Sequence, residues 1–164
     1  MSIEPLSSIE EVVPFLAECA LPVADISPSP LLHFFGVRVG GGLVAVVGIE
    51  LYPPFALLRS LAVVPAFRGR GLAHELVGYA ESFAAAQNVE AVFLLTTTAE
   101  GFFLRLGYSP ASRSSAPSVI RATSQFSGLC PSSSAFLSKR VAPVRANPAV
   151  NPDLAQKAAQ GRLP

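Results

Sequence analysis

Arg68-Gly69-Arg70-Gly71 is the stretch of this chain best suited to chemistry. Two glycines let a backbone turn with its N–H groups pointing inward, and two arginines add full positive charges. Val64-Pro65 closes an apolar, strand-like run ahead of the turn, and Leu72-Ala73 opens a helical pattern behind it. The turn therefore feeds a helix N-terminus, whose unsatisfied N–H groups and positive dipole end attract anions. Together these features make a cradle suited to a pyrophosphate. The two commonest phosphate motifs do not apply. No Gly-x-x-x-x-Gly-Lys-Ser/Thr string occurs, and His74 stands where a dinucleotide fingerprint wants a third glycine. A glycine-rich turn with solvated arginines is the plain alternative. The coincidence of strand, Pro65, both arginines and helix favours the anion site.

Other polar residues stand out because apolar ones surround them. Glu50 is the one charge in the run Val44 to Tyr52, and strand alternation puts it on the same face as Tyr52. It is either a base or amine ligand, or a strand-end carboxylate facing solvent. Arg59 interrupts a central apolar strand, where an unpaired charge is costly. It either reaches a carboxylate such as Glu50 or faces a pocket and holds an anionic substrate. Arg121 is a second candidate anion contact, otherwise a solvated helix charge. His33 is a weaker candidate base, and His74 reads as a surface residue. Cys19 and Cys130 lack metal-ligand spacing and read as reduced thiols.

The elements that position these residues follow from the pattern. Ser8-Ile9-Glu10-Glu11 has the form of a capping box and starts a short helix ending near Cys19-Ala20, with Pro14 either inside it or in its first turn. Leu21 to Pro30 is an irregular loop. Leu31 to Val39 and Leu43 to Tyr52 are strands joined at Gly40-Gly41-Gly42, and Ala56 to Val64 is a third. Leu72, Leu76, Ala80, Phe83 and Ala84 share one helical face between Gly71 and Gln87. Ala91 to Thr97 is a strand. A short helix capped by Thr97 or Thr98 runs to Gly107. Tyr108 to Arg113 reads as a strand, Pro117 to Leu129 as a helix, and Ala135 to Val141 as a last strand. The expected fold is α/β, with a mixed, largely antiparallel central sheet flanked by helices. Residues 1–141 form one domain, and 142–164, rich in proline, are expected to be a disordered tail.

Composition narrows the function. Apolar residues make up 51% of the 164, which supplies a core. The net charge of +1 excludes the basic face of a general nucleic-acid binder. No uninterrupted apolar run reaches the roughly 18 residues of a membrane span, and the N-terminus has no secretory pattern. A cytoplasmic protein is expected. Ala135 to Val141 reads as an exposed edge strand, which allows a homodimer.

Arg68-Gly69-Arg70-Gly71-Leu72-Ala73 resembles the Gln/Arg-x-x-Gly-x-Gly/Ala loop of the GNAT acetyltransferases. Ala99-Glu100-Gly101-Phe102-Phe103-Leu104-Arg105-Leu106-Gly107-Tyr108 resembles their Ala-x-x-Phe-Tyr-x-x-x-Gly-Phe/Tyr helix. The order and spacing of the pair match, and the resemblance covers roughly Leu31 to Val141. Leu58-Arg59-Ser60-Leu61, Leu94-Leu95-Thr96-Thr97-Thr98-Ala99-Glu100, Ile120-Arg121-Ala122-Thr123-Ser124-Gln125-Phe126 and Leu129-Cys130-Pro131 further resemble the branch associated with arsenic resistance.

The resemblance implies acetyl-CoA as co-substrate and a small-molecule amine as acceptor. The narrower branch implies an amino acid or toxic amino-acid analogue bearing an arsinate or phosphinate. It also implies that central strands splay apart, leaving backbone groups of Leu61 and Val63 to pair with pantetheine, while Arg68, Gly69, Arg70, Gly71, Leu72 and Ala73 hold the pyrophosphate. The Leu61 amide is then the candidate oxyanion donor. Phe103 lies along the cofactor, where the family often has an acid tyrosine, and phenylalanine cannot donate a proton. Tyr79, Tyr108, Thr98 or water stand as substitutes. The gap also leaves open a non-catalytic CoA-binding sensor or scaffold.

Overall fold

A computed structural model describes residues 2–141; the expected tail at 142–164 lies outside the described residues. Seven strands form one sheet in the order β1-β2-β3-β4-β5-β7-β6. They are β1 Ile3–Leu6, β2 Leu32–Val39, β3 Gly42–Tyr52, β4 Phe55–Val63, β5 Ala91–Thr96, β6 Ser109–Pro110 and β7 Ala135–Arg140. Among the described residues the only parallel pair is β4–β5; the other neighbours run antiparallel. Helices α1 Ile9–Glu18 and α4 Ser118–Arg121 cover one face. Helices α2 Leu72–Ala86 and α3 Glu100–Arg105 cover the other. The expected mixed, largely antiparallel α/β sheet is present.

The two faces are legible in the alternation of the strands. Ile49, Leu51, Ala56, Leu58, Val92 and Leu94 pack with Leu76, Val77 and Ala80 of α2. Leu57, Phe93 and Phe136 pack with Ile120 of α4, while Phe34, Val46 and Ala62 pack with Val12 and Leu16 of α1. Ser8 caps α1 by accepting from the Glu10 N–H at 3.2 Å, and Pro14 sits inside that helix. The missing Pro14 N–H is tolerated in a short helix fixed by two fully buried side chains, Val12 and Leu16.

Several expectations are corrected. The strand β1 carries no alternation strong enough to read from four residues; its partner β2 defines it. The expected strand Tyr108 to Arg113 shrinks to β6, since Tyr108 turns its side chain into the core. The helix expected from Pro117 to Leu129 divides into α4 and a single π-turn at Gln125–Leu129. Thr123 ends the first piece by donating its hydroxyl to the Ile120 carbonyl at 2.7 Å. Ala99, not Thr97 or Thr98, is the N-cap of α3, and the Thr96 hydroxyl accepts from the Ala99 N–H. Finally, β7 is not an edge strand: it lies between β5 and β6, and the outer strands are β1 and β6. No helix among the described residues is long and apolar enough to cross a membrane.

Close packing of β1, β2 and β3 rests on Gly36. A Cβ there would meet the Ala45 carbonyl oxygen at 2.9 Å and a Leu6 methyl at 2.8 Å. Backbone oxygen cannot step aside as a side chain can, so Gly36→Ala is expected to destabilise the fold by about 1–3 kcal/mol. Urea unfolding of the variant measures it, and an unchanged midpoint would show that the sheet relaxes freely.

Candidate active site

Strands β4 and β5 pair only over Phe55–Leu57 with Ala91–Phe93. Beyond those three residues β4 continues to Val63 and β5 to Thr96 without a shared ladder. The gap between them opens into a cavity of about 330 Å³. Its floor is Leu58–Leu61 on one side and Leu94–Ala99 on the other. Phe103 of α3 lines it on one face of the sheet; Ala20–Pro22, Gln125 and Leu129–Pro131 line it on the other. The cavity therefore takes its walls from both faces of the sheet.

A bulge at Ser60 orients the β4 side of this slot. The register with β3 shifts there, from Gly48 opposite Arg59 to Val46 opposite Ala62, and Ser60 takes a left-handed φ of 59°. The extra residue reverses the alternation. Arg59 projects to the α4 face, yet Leu61 and Val63 pack with the α2 cluster and Ala62 with the α1 cluster. The Val64 N–H donates to the Val44 carbonyl at 2.9 Å. Antiparallel pairing alternates, so Ala62 and Val64 address β3, while the backbone groups of Leu61 and Val63 address the gap.

The anion turn follows directly. Gly69 and Gly71 take φ values of 77° and 81°, where an L side chain is strained, and open space surrounds both Cα atoms. Gly71 is the N-cap of α2 and offers no side-chain cap, so the first-turn N–H groups of this fifteen-residue helix lack that competitor. Arg68, Gly69, Arg70 and Gly71 are exposed; Leu72 is buried as the first anchor of α2, and Ala73 is half-buried. Arg70 lies 4.7 Å over the Phe67 ring and donates to the Ala66 carbonyl. Arg68 donates from Nε to the Val63 carbonyl at 2.9 Å. That oxygen keeps a second lone pair for a ligand.

On the α4 face a buried ion cluster flanks the slot. The Arg59 side chain is 1% exposed and lines the cavity. It donates to both oxygens of Asp25, at 2.5 and 2.7 Å, and to Glu50 Oε2 at 2.7 Å. Its Nε donates to the Ser60 hydroxyl at 3.0 Å. The Tyr52 hydroxyl donates to Glu50 Oε1 at 2.5 Å. Burial opposes the guanidinium charge, but the bonds and charges of Asp25 and Glu50 outweigh it and raise the Arg59 pKa. Burial, then the Glu50 carboxylate, push the Tyr52 hydroxyl above its usual range, so it stays a donor. Two carboxylates face one guanidinium, which leaves one negative charge in excess.

The candidate residues thus fall into three groups. Leu61 and Phe103 line the slot, whereas Val63 and the turn from Arg68 to Ala73 lie outside its lining, on the run of chain that leads from β4 into α2. Arg59 and Glu50 join in one cluster, with Glu50 behind Arg59 and off the cavity wall. Arg121 is exposed on α4 and does not line the cavity. His33 packs against Phe83 with ring centroids 4.9 Å apart, and His74 is exposed. Among the substitutes for an acid at Phe103, Tyr108 is buried and donates to Glu81, while exposed Tyr79 packs on Phe35. Only Thr98 lines the cavity. Sequence reasoning missed Asp25, Gln125 and Ser134. Asp25 sits in a proline-rich loop with no periodic signal, and only its 34-residue separation from Arg59, closed by the fold, makes it a partner.

Removing different members of the cluster should cost unequal amounts. Arg59→Met leaves two buried carboxylates unpaired and is expected to destabilise by about 3–5 kcal/mol. Asp25→Asn leaves Arg59 still balanced by Glu50 and is expected to cost about 1–2 kcal/mol. Chemical denaturation of both variants tests the order; a milder Arg59 variant would contradict the charge count. For the turn, Arg70→Ala is expected to weaken CoA binding about 10- to 150-fold, as measured by calorimetry.

Comparison with known proteins places this geometry. Residues 4–108, more than half of the chain, match the Acetyltransferase (GNAT) family. An uncharacterized N-acetyltransferase of Chlorobaculum tepidum is 35% identical over 88 residues, covering 53% of this chain and 56% of that protein. The chain therefore matches little more than half the length of that curated relative. The N-acetylglutamate synthase of Neisseria gonorrhoeae, solved with coenzyme A and N-acetyl-glutamate, superposes with a TM-score of 0.66 at 19% identity, over 85% of this chain and 35% of that one. A GNAT acetyltransferase of Staphylococcus aureus superposes with a TM-score of 0.63 at 15% identity, over 85% and 99%. At these identities the structural likeness is one of fold. With the family match added to the split parallel pair and the glycine turn at the head of α2, the chain belongs to the GNAT acetyltransferase family.

Proposed function

We propose that the protein transfers the acetyl group of acetyl-CoA to the amine of a small amino acid or amino-acid analogue that carries an anionic group. A carboxylate, phosphinate or arsinate fits, the last two in the arsenic-resistance setting suggested by the resemblance. The observation that carries this reading is the slot between β4 and β5, lined by Leu61 and Phe103 toward α2 and by Arg59, Gln125 and Ser134 among others. Its volume suits the end of pantetheine and a small acceptor. The Neisseria gonorrhoeae synthase was solved with an acetylated amino acid, which supports the same acceptor class.

In this reading the pyrophosphate rests on Arg68, Gly69, Arg70, Gly71, Leu72 and Ala73. Pantetheine bonds to the gap-facing groups of Leu61 and Val63 and runs past Phe103. The amine nitrogen attacks the thioester carbonyl carbon, and the carbonyl oxygen gains charge opposite the Leu61 N–H. Before attack the ammonium loses one proton toward Glu50, relayed by water because Glu50 stands behind Arg59. The C–N bond then forms and the C–S bond breaks, and the second proton shed by the nitrogen passes through water to the departing thiolate, since Phe103 has none to give. The excess negative charge of the Asp25–Arg59–Glu50 cluster favours the ammonium on approach. Arg59 keeps one N–H beyond its four bonds for the acceptor, and Arg121 would add to the anion's attraction only from the surface.

The test is a thiol-release assay with acetyl-CoA and a panel of amines that includes glutamate and its methylphosphinate and arsinate analogues. Turnover of one or more of them is expected, and binding of CoA without turnover of any amine would favour a sensor or scaffold. Glu50→Gln is expected to lower kcat about 100-fold or more with little change in KM for acetyl-CoA. Arg59→Lys loses the planar fork shared between Asp25 and the pocket. If Arg59 also anchors substrate, KM for the anionic amine rises far more than KM for acetyl-CoA; a destabilised variant with unchanged KM assigns it to structure alone.

A further inference from the structure

We infer that Ser134 and Gln125, backed by the charge of Arg113, form the subsite that receives the acceptor's anionic group, on the β7 side of the slot. The inference deepens the acetyltransferase reading and rests on it.

Ser134 is 5% exposed and lines the cavity, and its hydroxyl has no hydrogen-bond partner among the described residues. A buried hydroxyl left unpaired is unfavourable for the fold. Ser134 ends the turn that leads into β7, with its N–H donating to the Pro131 carbonyl at 2.9 Å, and next to it Ala135 pairs with Thr96 and Phe136 with Leu95 of the strand that walls the slot.

Gln125 supplies a second donor. It is 7% exposed, lines the same cavity, and uses its Oε1 to accept from the Cys130 thiol at 3.4 Å. Burial pushes the Cys130 thiol up, which keeps its proton in that bond. With the oxygen engaged, the amide N–H groups are the part of Gln125 left to address a ligand. Arg113 stands behind both. Its Nη2 donates to the Ser134 carbonyl at 2.8 Å, its guanidinium lies 5.3 Å over the Phe126 ring, and no carboxylate pairs with it among the described residues.

At the β4 edge of the slot Arg59 alone of the Asp25–Arg59–Glu50 cluster lines the cavity, and four of its five N–H groups are already bonded. At the β7 edge there are neutral donors with the positive charge of Arg113 behind them. The carboxylate, phosphinate or arsinate of the acceptor finds its unengaged donors at that edge. An anion placed at Arg59 would instead meet two carboxylates that already hold it.

The decisive experiment titrates the CoA-loaded full-length protein by calorimetry with L-glutamate, its methylphosphinate analogue, and propylamine, which keeps the amine and carbon chain but has no anion. Ser134→Ala is expected to leave the melting temperature unchanged or raised, because the hydroxyl has no partner to lose. It should weaken one or both anionic probes about tenfold and leave propylamine unaffected. Gln125→Glu should weaken the same probes further by facing them with a like charge. A Ser134→Ala variant that melts lower and binds the anionic probes as before would assign the hydroxyl to structure and overturn the subsite. So would equal losses for propylamine, or a wild type that binds neither anionic probe. Thiol release measured in parallel separates the two readings: turnover of amines without anion selectivity would retain the acetyltransferase and sink the subsite.

Discussion

A parallel strand pair that separates after three residues is the constraint on which the rest of this structure depends. In an ordinary sheet the N–H and C=O groups of β4 would be consumed by β5. Here the ladder stops at Leu57 and Phe93, and the C-terminal half of β4 keeps groups that no neighbouring strand pairs. Buried backbone groups without partners are unfavourable, so the separation persists only because other interactions hold the strands at both ends. Helix α2 packs Leu76, Val77 and Ala80 across the joined ends, while β7 pairs β5 along its whole length. The gap is thus an unpaired region inside an otherwise well-paired sheet, with backbone groups free along one side of β4.

Two local devices divide that gap into chemically different halves. The bulge at Ser60 lets two residues on either side of it, which a regular strand would put on one face, serve opposite faces: Arg59 toward α4, Leu61 toward α2. One strand thus presents a charged side chain on one side of the sheet and gap-facing backbone groups beside an apolar side chain on the other. The second device is the turn at Gly69 and Gly71, which follows a single 3-10 turn at Pro65–Phe67 and leads the chain from β4 into α2. In the proposed reading, the groups for pyrophosphate and for pantetheine therefore belong to one continuous run of chain.

Much of this was legible in the sequence where local chemistry decides local structure. The glycine turn, α2, the strands around it and the likeness of two spaced motifs to the GNAT family all follow from short stretches, because apolar period and positive φ are properties of neighbouring residues. Legibility failed where long-range closure decides. Arg59 offered two readings, and its environment contains both: it is paired with Glu50, and it also lines the cavity. The choice depended on Asp25, which no pattern ties to Arg59. Ser134 was invisible for the same reason, since an ordinary serine before a strand acquires meaning only from burial beside a cavity, and Gln125 stood within a stretch of family resemblance without a role of its own. The late helix was misread because Ser, Thr and Gly between Arg121 and Leu129 compete with helical backbone bonds, and Thr123 takes the Ile120 carbonyl for itself.

The left-handed backbone at Ser60 restricts what can stand there over the history of the chain. A β-branched residue is excluded at φ 59°, although the flanking strand favours such residues. Glycine fits the backbone but surrenders the hydroxyl that accepts from Arg59 Nε. Aspartate restores an acceptor yet adds a third carboxylate to a cluster that already has two for one guanidinium. Serine and asparagine remain, one short and one slightly longer, both neutral and both able to accept. Position 60 is therefore constrained jointly by a torsion angle and a charge balance, a constraint of shape and polarity that the exposed arginines of the anion turn do not share.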